Sequence, residues 1–188
     1  MNLRDYQRDA VFAVVQYIET SSKNPCVVIP TGGGKTPIIA TLARYFVQRQ
    51  RARVLILSHR RELIEQTART LERSNVFPSI YSAGLNKKEI NGEIVVASIQ
   101  SAAANIKSFK DQTPPFSFVF IDEAHLIPNL NDESSGYQQI IKALKENNER
   151  LRVVGFTATP YRLENGFLCS DDSILNKVVF EIKTAARD

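Results

Sequence analysis

The run Val27-Val28-Ile29-Pro30-Thr31-Gly32-Gly33-Gly34-Lys35-Thr36 constrains this chain more than any other stretch. Its first residues are apolar and β-branched, the pattern of a buried strand. Three glycines follow, then Lys35 and Thr36, then apolar residues at helical spacing. Strand, glycine turn, Lys-Thr and helix in that order make a phosphate-binding loop. Glycine admits positive φ and lets consecutive backbone N–H groups close on an anion. A helix starting there aims its positive dipole end at the same point. Lys35 can reach the β- and γ-phosphates of a nucleotide, and the Thr36 hydroxyl can ligate Mg²⁺. The strict pattern G-x-x-x-x-G-K-[ST] asks for glycine where Ile29 stands. A plain flexible turn is the competing reading, and the strand before it and helix after it count against that.

A length of 188 residues suits one domain, perhaps with an appendage. Hydrophobic residues are 43% and charged residues 23%, which sets the chain among ordinary globular proteins rather than disordered or fibrous ones. No apolar run approaches a membrane span, and Met1 to Asp5 holds no signal-peptide core. Cys26 and Cys169 lie far apart in sequence with no C-x-x-C spacing, which argues against a metal site and for a reducing cytosol. A net charge of +4 suits a nucleic-acid partner without demanding one.

The candidate site residues fall in chain order. Apolar positions from Ala10 to Ile18 predict a helix over 5–19, with Asp5 as a plausible cap. Just ahead, the Gln7 amide could match adenine, with Arg4 or Tyr6 flanking the ring; a solvated helix residue is the plainer reading of Gln7. A helix is expected over 35–48. Val54 to Leu57 predicts a second buried strand, ending in Ser58-His59-Arg60-Arg61 and another helix that Ser58 could cap. His59 shows no partner in sequence. Arg60 and Arg61 stand where ligands gather in α/β sheets, although a charge pair at a helix start is usually solvated. Strands are expected at 79–81 and 93–97, with a turn at Ala83-Gly84-Leu85 between them. Ser98 to Ser101 suits phosphate or sugar contacts, and equally an ordinary helix cap. The apolar run Phe116 to Ile121 ends in Asp122-Glu123-Ala124-His125. An acid at the tip of a buried strand faces the ligand crevice. Asp122 can hold Mg²⁺, and Glu123 can take a proton from an attacking water. His125 suits a hydrogen-bond relay. Leu151 to Phe156 predicts a last buried strand, whose end places the Thr157 and Thr159 hydroxyls to bridge to the acids.

Phosphate loop, Asp-Glu-Ala-His and Thr-Ala-Thr, in this order and each at a strand end, resemble the first motor domain of superfamily 2 helicases, the DEAD/DEAH-box ATPases. The variant Thr-Gly-x-Gly-Lys-Thr is that of helicases. The resemblance spans about residues 3 to 162. It implies a three-layer α/β/α RecA-like P-loop domain with a mostly parallel sheet, acting with ATP and Mg²⁺ on nucleic acid. By that resemblance Gln7 and Arg4 lie at the adenine, and Thr31, Gly32, Gly33, Gly34, Lys35 and Thr36 hold phosphate. Lys35, Asp122 and Glu123 carry hydrolysis, with Thr36 and Asp122 at the metal. His125, Thr157 and Thr159 couple nucleotide to track, and Arg60, Arg61, Gly84, Ser98 and Gln100 face nucleic acid. Leu-Arg-x-Tyr-Gln, Ser-Ala-Gly-Leu and Thr-Ala-Thr-Pro-Tyr-Arg-Leu look most like the RadD-like bacterial DNA-repair group.

Such helicases carry a second RecA-like domain with arginine fingers, and nothing after Arg162 supplies one. The expectation is therefore a motor lobe at 1–165 and an extension at 166–188 toward a missing lobe in a longer chain. The implied activity is ATP hydrolysis coupled to movement on DNA more readily than RNA, nearly silent in this lobe alone. Two other readings share the loop: a nucleotide-dependent binding module without hydrolysis, and a P-loop kinase. Glu123 counts against the first, since a pure binder needs no base. The second requires neither Asp-Glu-Ala-His nor Thr-Ala-Thr.

Overall fold

A computed structural model describes residues 2–128, 135–161 and 166–182. The long helix α1 (Asp5–Thr20) comes first, then the strand β1 (Pro25–Val28). The loop leads into α2 (Lys35–Gln50), followed by β2 (Val54–Ser58), α3 (Arg61–Glu72) and β3 (Ser79–Ser82). A 3-10 turn at Ala83–Leu85 joins β3 to the two-residue strand β4 (Lys87–Lys88). Next come β5 (Ile94–Ser98), α4 (Ile99–Ala104), α5 (Ile106–Lys110) and β6 (Phe118–Asp122). After these stand α6 (Gly136–Asn147), β7 (Arg152–Thr157) and β8 (Lys177–Glu181).

These eight strands form one sheet in the order β4-β3-β5-β2-β6-β7-β1-β8. Every pairing among them is parallel except β3 with β4. Parallel strands covered on both faces read as unbroken apolar runs, and β2, β5 and β6 are buried throughout. Alternation still sorts their side chains. Phe118 and Phe120 pack with Ala10, Ile38, Phe46 and Ile64 from α1, α2 and α3, while Val119 and Ile121 pack with Ala102, Phe109 and Ile140 from α4, α5 and α6. The result is the expected three-layer, mostly parallel α/β domain.

Residues 177–181, grouped by sequence with the extension, pair in parallel with β1 inside this sheet. Two caps differ from expectation. The residue before α1 is Arg4, whose backbone N–H donates to Gln7 Oε1 at 2.9 Å, and Asp5 is already helical. The residue before α3 is Arg60, because Ser58 still belongs to β2, where its Oγ is buried without a hydrogen-bond partner.

At the edge of β2, Arg53 is 6% exposed and secures the surrounding loops. Its guanidinium donates to the carbonyls of Ile90, Gly92 and Pro114 and to Gln112 Oε1, and lies 4.5 Å above the Phe116 ring centre. A buried cation is tolerated when its donors are paired in this way.

Candidate functional site

The parallel sheet puts the carboxyl ends of β1, β7, β6, β2 and β5 along one rim. The phosphate loop leaves β1, Thr157 closes β7 and Asp122 closes β6, and these three strands are neighbours. Their partners across β2 and β5 end in Ser58-His59 and Ser98-Ile99. The rim therefore divides into a half with the glycine loop and the acid pair and a half carrying His59, Arg60, Arg61, Gly84 and Gln100, all of them exposed.

In the loop, Gly32 and Gly34 have φ of +77° and +78°, which side chains rarely adopt. Gly33 serves differently. A Cβ there would stand 2.5 Å from Ile29 Cγ2 and 2.9 Å from the Pro30 carbonyl, whose oxygen accepts from Gly33 N–H. The N-terminal segment braces the same loop. Tyr6 Oη donates to Gly33 O at 2.7 Å, Gln7 Nε2 donates to Gly34 O at 3.1 Å, and Arg4 donates to Tyr6 Oη at 3.2 Å. Gln7 is not a solvated helix residue, being only 5% exposed. Its amide oxygen caps α1 and its amide nitrogen holds the loop.

Lys35 begins α2, and its Nζ lies 3.4 Å from Ile29 O and 3.9 Å from Glu123 Oε1. Thr36, at the first turn of α2, is buried. Thr31 and Gly32 are exposed at the mouth of the loop. At the end of β6, Asp122 is 3% exposed. Burial first, and then the neighbouring Glu123 charge, push its carboxyl up to about 6, against the opposing pull of Lys35 and of the Glu123 N–H. That N–H donates to Asp122 Oδ1 at 3.0 Å. Glu123 holds φ of +57°, a left-handed conformation uncommon outside glycine. The bend places the acid pair at the start of a 3-10 turn, Ala124–Leu126.

A relay leads from the acids to β7. His125 Nδ1 lies 3.4 Å from Glu123 Oε2 and 3.0 Å from Thr157 Oγ1. Thr157 is fully buried, and its Oγ1 accepts from Thr159 N–H at 3.3 Å. Only one of the two predicted hydroxyls reaches toward the acids, because Thr159 Oγ1 donates instead to Tyr161 O at 3.1 Å. Arg162 lies outside the described residues.

Across the rim, Ser98 Oγ accepts from Ser101 N–H and Ser101 Oγ accepts from Ala83 N–H. Both hydroxyls are buried. Of the two readings left by sequence, the helix cap is the one realised for Ser98. Gln100 remains exposed, and its Nε2 lies 3.1 Å from His59 Nδ1. His59 thus has a partner that sequence did not reveal.

Sequence reading also missed Tyr137. Its hydroxyl is buried with no hydrogen-bond partner, and burial together with the Asp122 and Glu123 charges raises the phenol well above its usual range. No local motif marks it, since only the packing of α6 brings it to the acids.

The donor set suits Mg²⁺. It consists of one carboxylate at the end of β6 and one hydroxyl in the first turn of α2, both oxygen donors, and no group of three or more His, Cys, Asp or Glu gathers among the described residues. Mg²⁺ takes few protein ligands and fills its shell with water and phosphate oxygens. A buried carboxylate held short of full ionisation gains most from a cation beside it.

A strand, glycine loop, lysine and helix N-terminus with a strand-end acid pair beside them are the architecture of a P-loop domain, here an N-terminal motor domain of the helicase type. The chain belongs to the family described as type III restriction enzyme, res subunit, which matches residues 1–162. IRC3 of Saccharomyces cerevisiae, which is named as an ATP-dependent helicase, is 32% identical over 190 residues, covering 95% of this chain and 26% of that protein. The UvsW helicase of bacteriophage T4 superposes with a TM-score of 0.71 at 20% identity, covering 96% of this chain and 60% of the other. The type ISP restriction-modification enzyme LlaGI superposes with a TM-score of 0.70 at 19% identity, covering 97% of this chain and 20% of the other. The chain spans about a quarter of the length of IRC3. Among the described residues no helix is long and apolar enough to cross a membrane.

Proposed function

We propose that this chain is the ATP-binding lobe of a nucleic-acid translocase, whose hydrolysis is completed by a second RecA-like lobe. The carrying observation is the connection of Lys35 to Glu123 at 3.9 Å, and of Glu123 through His125 to Thr157 on the neighbouring strand. Phosphates seat at Gly32 to Thr36, where backbone donors and the start of α2 converge. Lys35 turns from Glu123 to the β- and γ-phosphates. Thr36 and Asp122 would hold Mg²⁺, which would supply charge neutralisation on the phosphate oxygens. Glu123 then accepts the proton of the attacking water. Its partner His125 senses that change and passes it to Thr157 by hydrogen bonding. Gln7 exchanges Gly34 O for the adenine edge, with Arg4 beside the ring.

The exposed residues Arg60, Arg61, Gly84 and Gln100 form half of a track surface, with Ser98 holding the start of α4 beneath them. DNA is the preferred track, because the LlaGI structure contains a DNA substrate mimic and the opening and Thr-Ala-Thr-Pro segments look like those of a DNA-repair group. The arginine of a second lobe stabilises charge in the phosphoryl-transfer transition state, worth on the order of 10³–10⁵ in rate in related enzymes. ATP turnover of residues 1–188 should therefore be very slow with or without single-stranded DNA. In a longer chain that includes the second lobe, turnover should be brisk and DNA-stimulated, and Glu123→Gln should keep ATP binding while losing turnover. Undiminished hydrolysis by Glu123→Gln in that longer chain would refute the role of Glu123.

A further inference from the structure

Cys26 and Cys169 stand near opposite ends of the sequence, yet the fold brings them together. Cys26 lies in β1, two residues after Asn24, and Asn24 fixes the segment that carries Cys169. Asn24 N–H donates to Asn176 Oδ1 at 2.9 Å, Asn24 Nδ2 to Ile174 O at 2.8 Å, and Asn176 N–H to Asn24 O at 2.8 Å. On either side of Cys169, Leu168 N–H donates to Pro160 O and Ser170 N–H to Leu175 O. Leu168 and Leu175 are each 1% exposed, so both flanks of the segment are anchored in the core. Cys169 packs against the apolar cluster that contains Cys26, and the two thiols lie within hydrogen-bonding reach. Neither is in a disulfide.

We propose that Cys26 and Cys169 form a redox site, a reversible disulfide that clamps the segment between β7 and β8 onto the strand feeding the phosphate loop. The two thiols differ in access. Cys26 is fully buried, whereas Cys169 is half-buried and meets solvent. Its closeness to Cys169, and then burial, hold the Cys26 thiol well above the usual range. Cys169 therefore reacts first, since the thiolate is the nucleophile and needs exposure. With a small disulfide such as oxidised glutathione, the Cys169 thiolate attacks one sulfur and one glutathione thiolate leaves. Cys26 then gives up its proton, and its sulfur attacks Cys169 Sγ and expels the second glutathione. Two protein thiols are oxidised by two electrons in total, and one small disulfide is reduced to two thiols.

The clamp joins the segment that leaves Thr157 and Thr159 to the strand that enters Thr31 to Lys35. It closes a long loop, for which chain-entropy stabilisation is large, and should raise Tm by roughly 10–20 °C. The test is to incubate the native chain with oxidised glutathione, denature it, and block remaining thiols with N-ethylmaleimide. Intact mass and peptide mapping then locate the sulfurs, and a parallel native sample is melted with and without dithiothreitol. The expected product carries no maleimide, has lost two hydrogens, yields a linked Cys26–Cys169 peptide and melts higher, all reversed by dithiothreitol. Cys169→Ser, a small change at a half-buried site, should leave Cys26 unoxidised and Tm unresponsive to oxidant. A product that stops at a glutathione adduct on Cys169 would overturn the proposal. So would an oxidant-induced rise in Tm in Cys169→Ser.

Discussion

Replacing Asp122 with Asn should make the folded chain more stable at neutral pH, although it removes a proposed metal ligand. Asp122 is 3% exposed, and its carboxyl is lifted from the usual 3.8 to about 6, chiefly by burial. Unfolding returns it to its ordinary value. Between the two values the folded state holds the proton more tightly than the unfolded state, so this group's contribution to stability falls as pH rises. At 1.36 kcal/mol for each pH unit of displacement, the cost amounts to about 3 kcal/mol above roughly pH 6 and vanishes below roughly pH 4. Asparagine keeps the shape and an oxygen to accept from Glu123 N–H, but carries no charge to desolvate. The stability gap between Asp122→Asn and wild type should therefore open from near zero at about pH 4 to about 3 kcal/mol at about pH 7.5. For a chain of this size that is roughly 6–12 °C in Tm. Urea denaturation followed by circular dichroism, at several pH values across that window, measures the gap. A gap that is absent at neutral pH, or flat across the window, would refute the reasoning.

Gly155→Ala should cost about 1–3 kcal/mol by overpacking, because its Cβ would press on Leu175 Cδ1 and stand 3.1 Å from Ala124 Cβ; an unshifted urea midpoint would contradict this. Gln7→Ala should weaken nucleotide binding and erase a preference for ATP over GTP, as read by competition titration. Arg60→Ala with Arg61→Ala should weaken single-stranded DNA binding uniformly across sequences and flatten its salt dependence, by a slope of about 0.7 for each phosphate no longer neutralised; an unchanged slope would remove both residues from the track.

What the sequence disclosed was chemistry confined to a few consecutive residues. The loop from Val27 to Thr36, the acids at Asp122 and Glu123 and the hydroxyl at Thr157 each sit where a buried strand stops, and a stopping strand is visible as an apolar run. The uses of individual polar atoms were less legible. Ser58 looked like a cap but remains in β2, because it pairs with Ser98 of β5. Ser98 suited phosphate and a helix cap equally, and its hydroxyl accepts from Ser101 N–H within α4. Gln7 was legible as a candidate for adenine or as a solvated helix residue, but nothing in a helix pattern shows that its amide meets a loop 27 residues on. Tyr137 with the acids and Cys26 with Cys169 are meetings made by sheet order, which places β1, β7 and β6 side by side out of sequence. Long-range pairing of that kind leaves no local trace in composition or periodicity.

Calorimetric titration of ATP with Mg²⁺ into residues 1–188 and into Lys35→Ala tests the nucleotide site most directly. Saturable binding is expected of the wild-type chain, lost or nearly lost in the variant, with the fold intact by circular dichroism. Equal affinity in the two proteins would mean that the phosphates do not seat at Gly32 to Thr36, and would contradict the assignment of this rim as the nucleotide site.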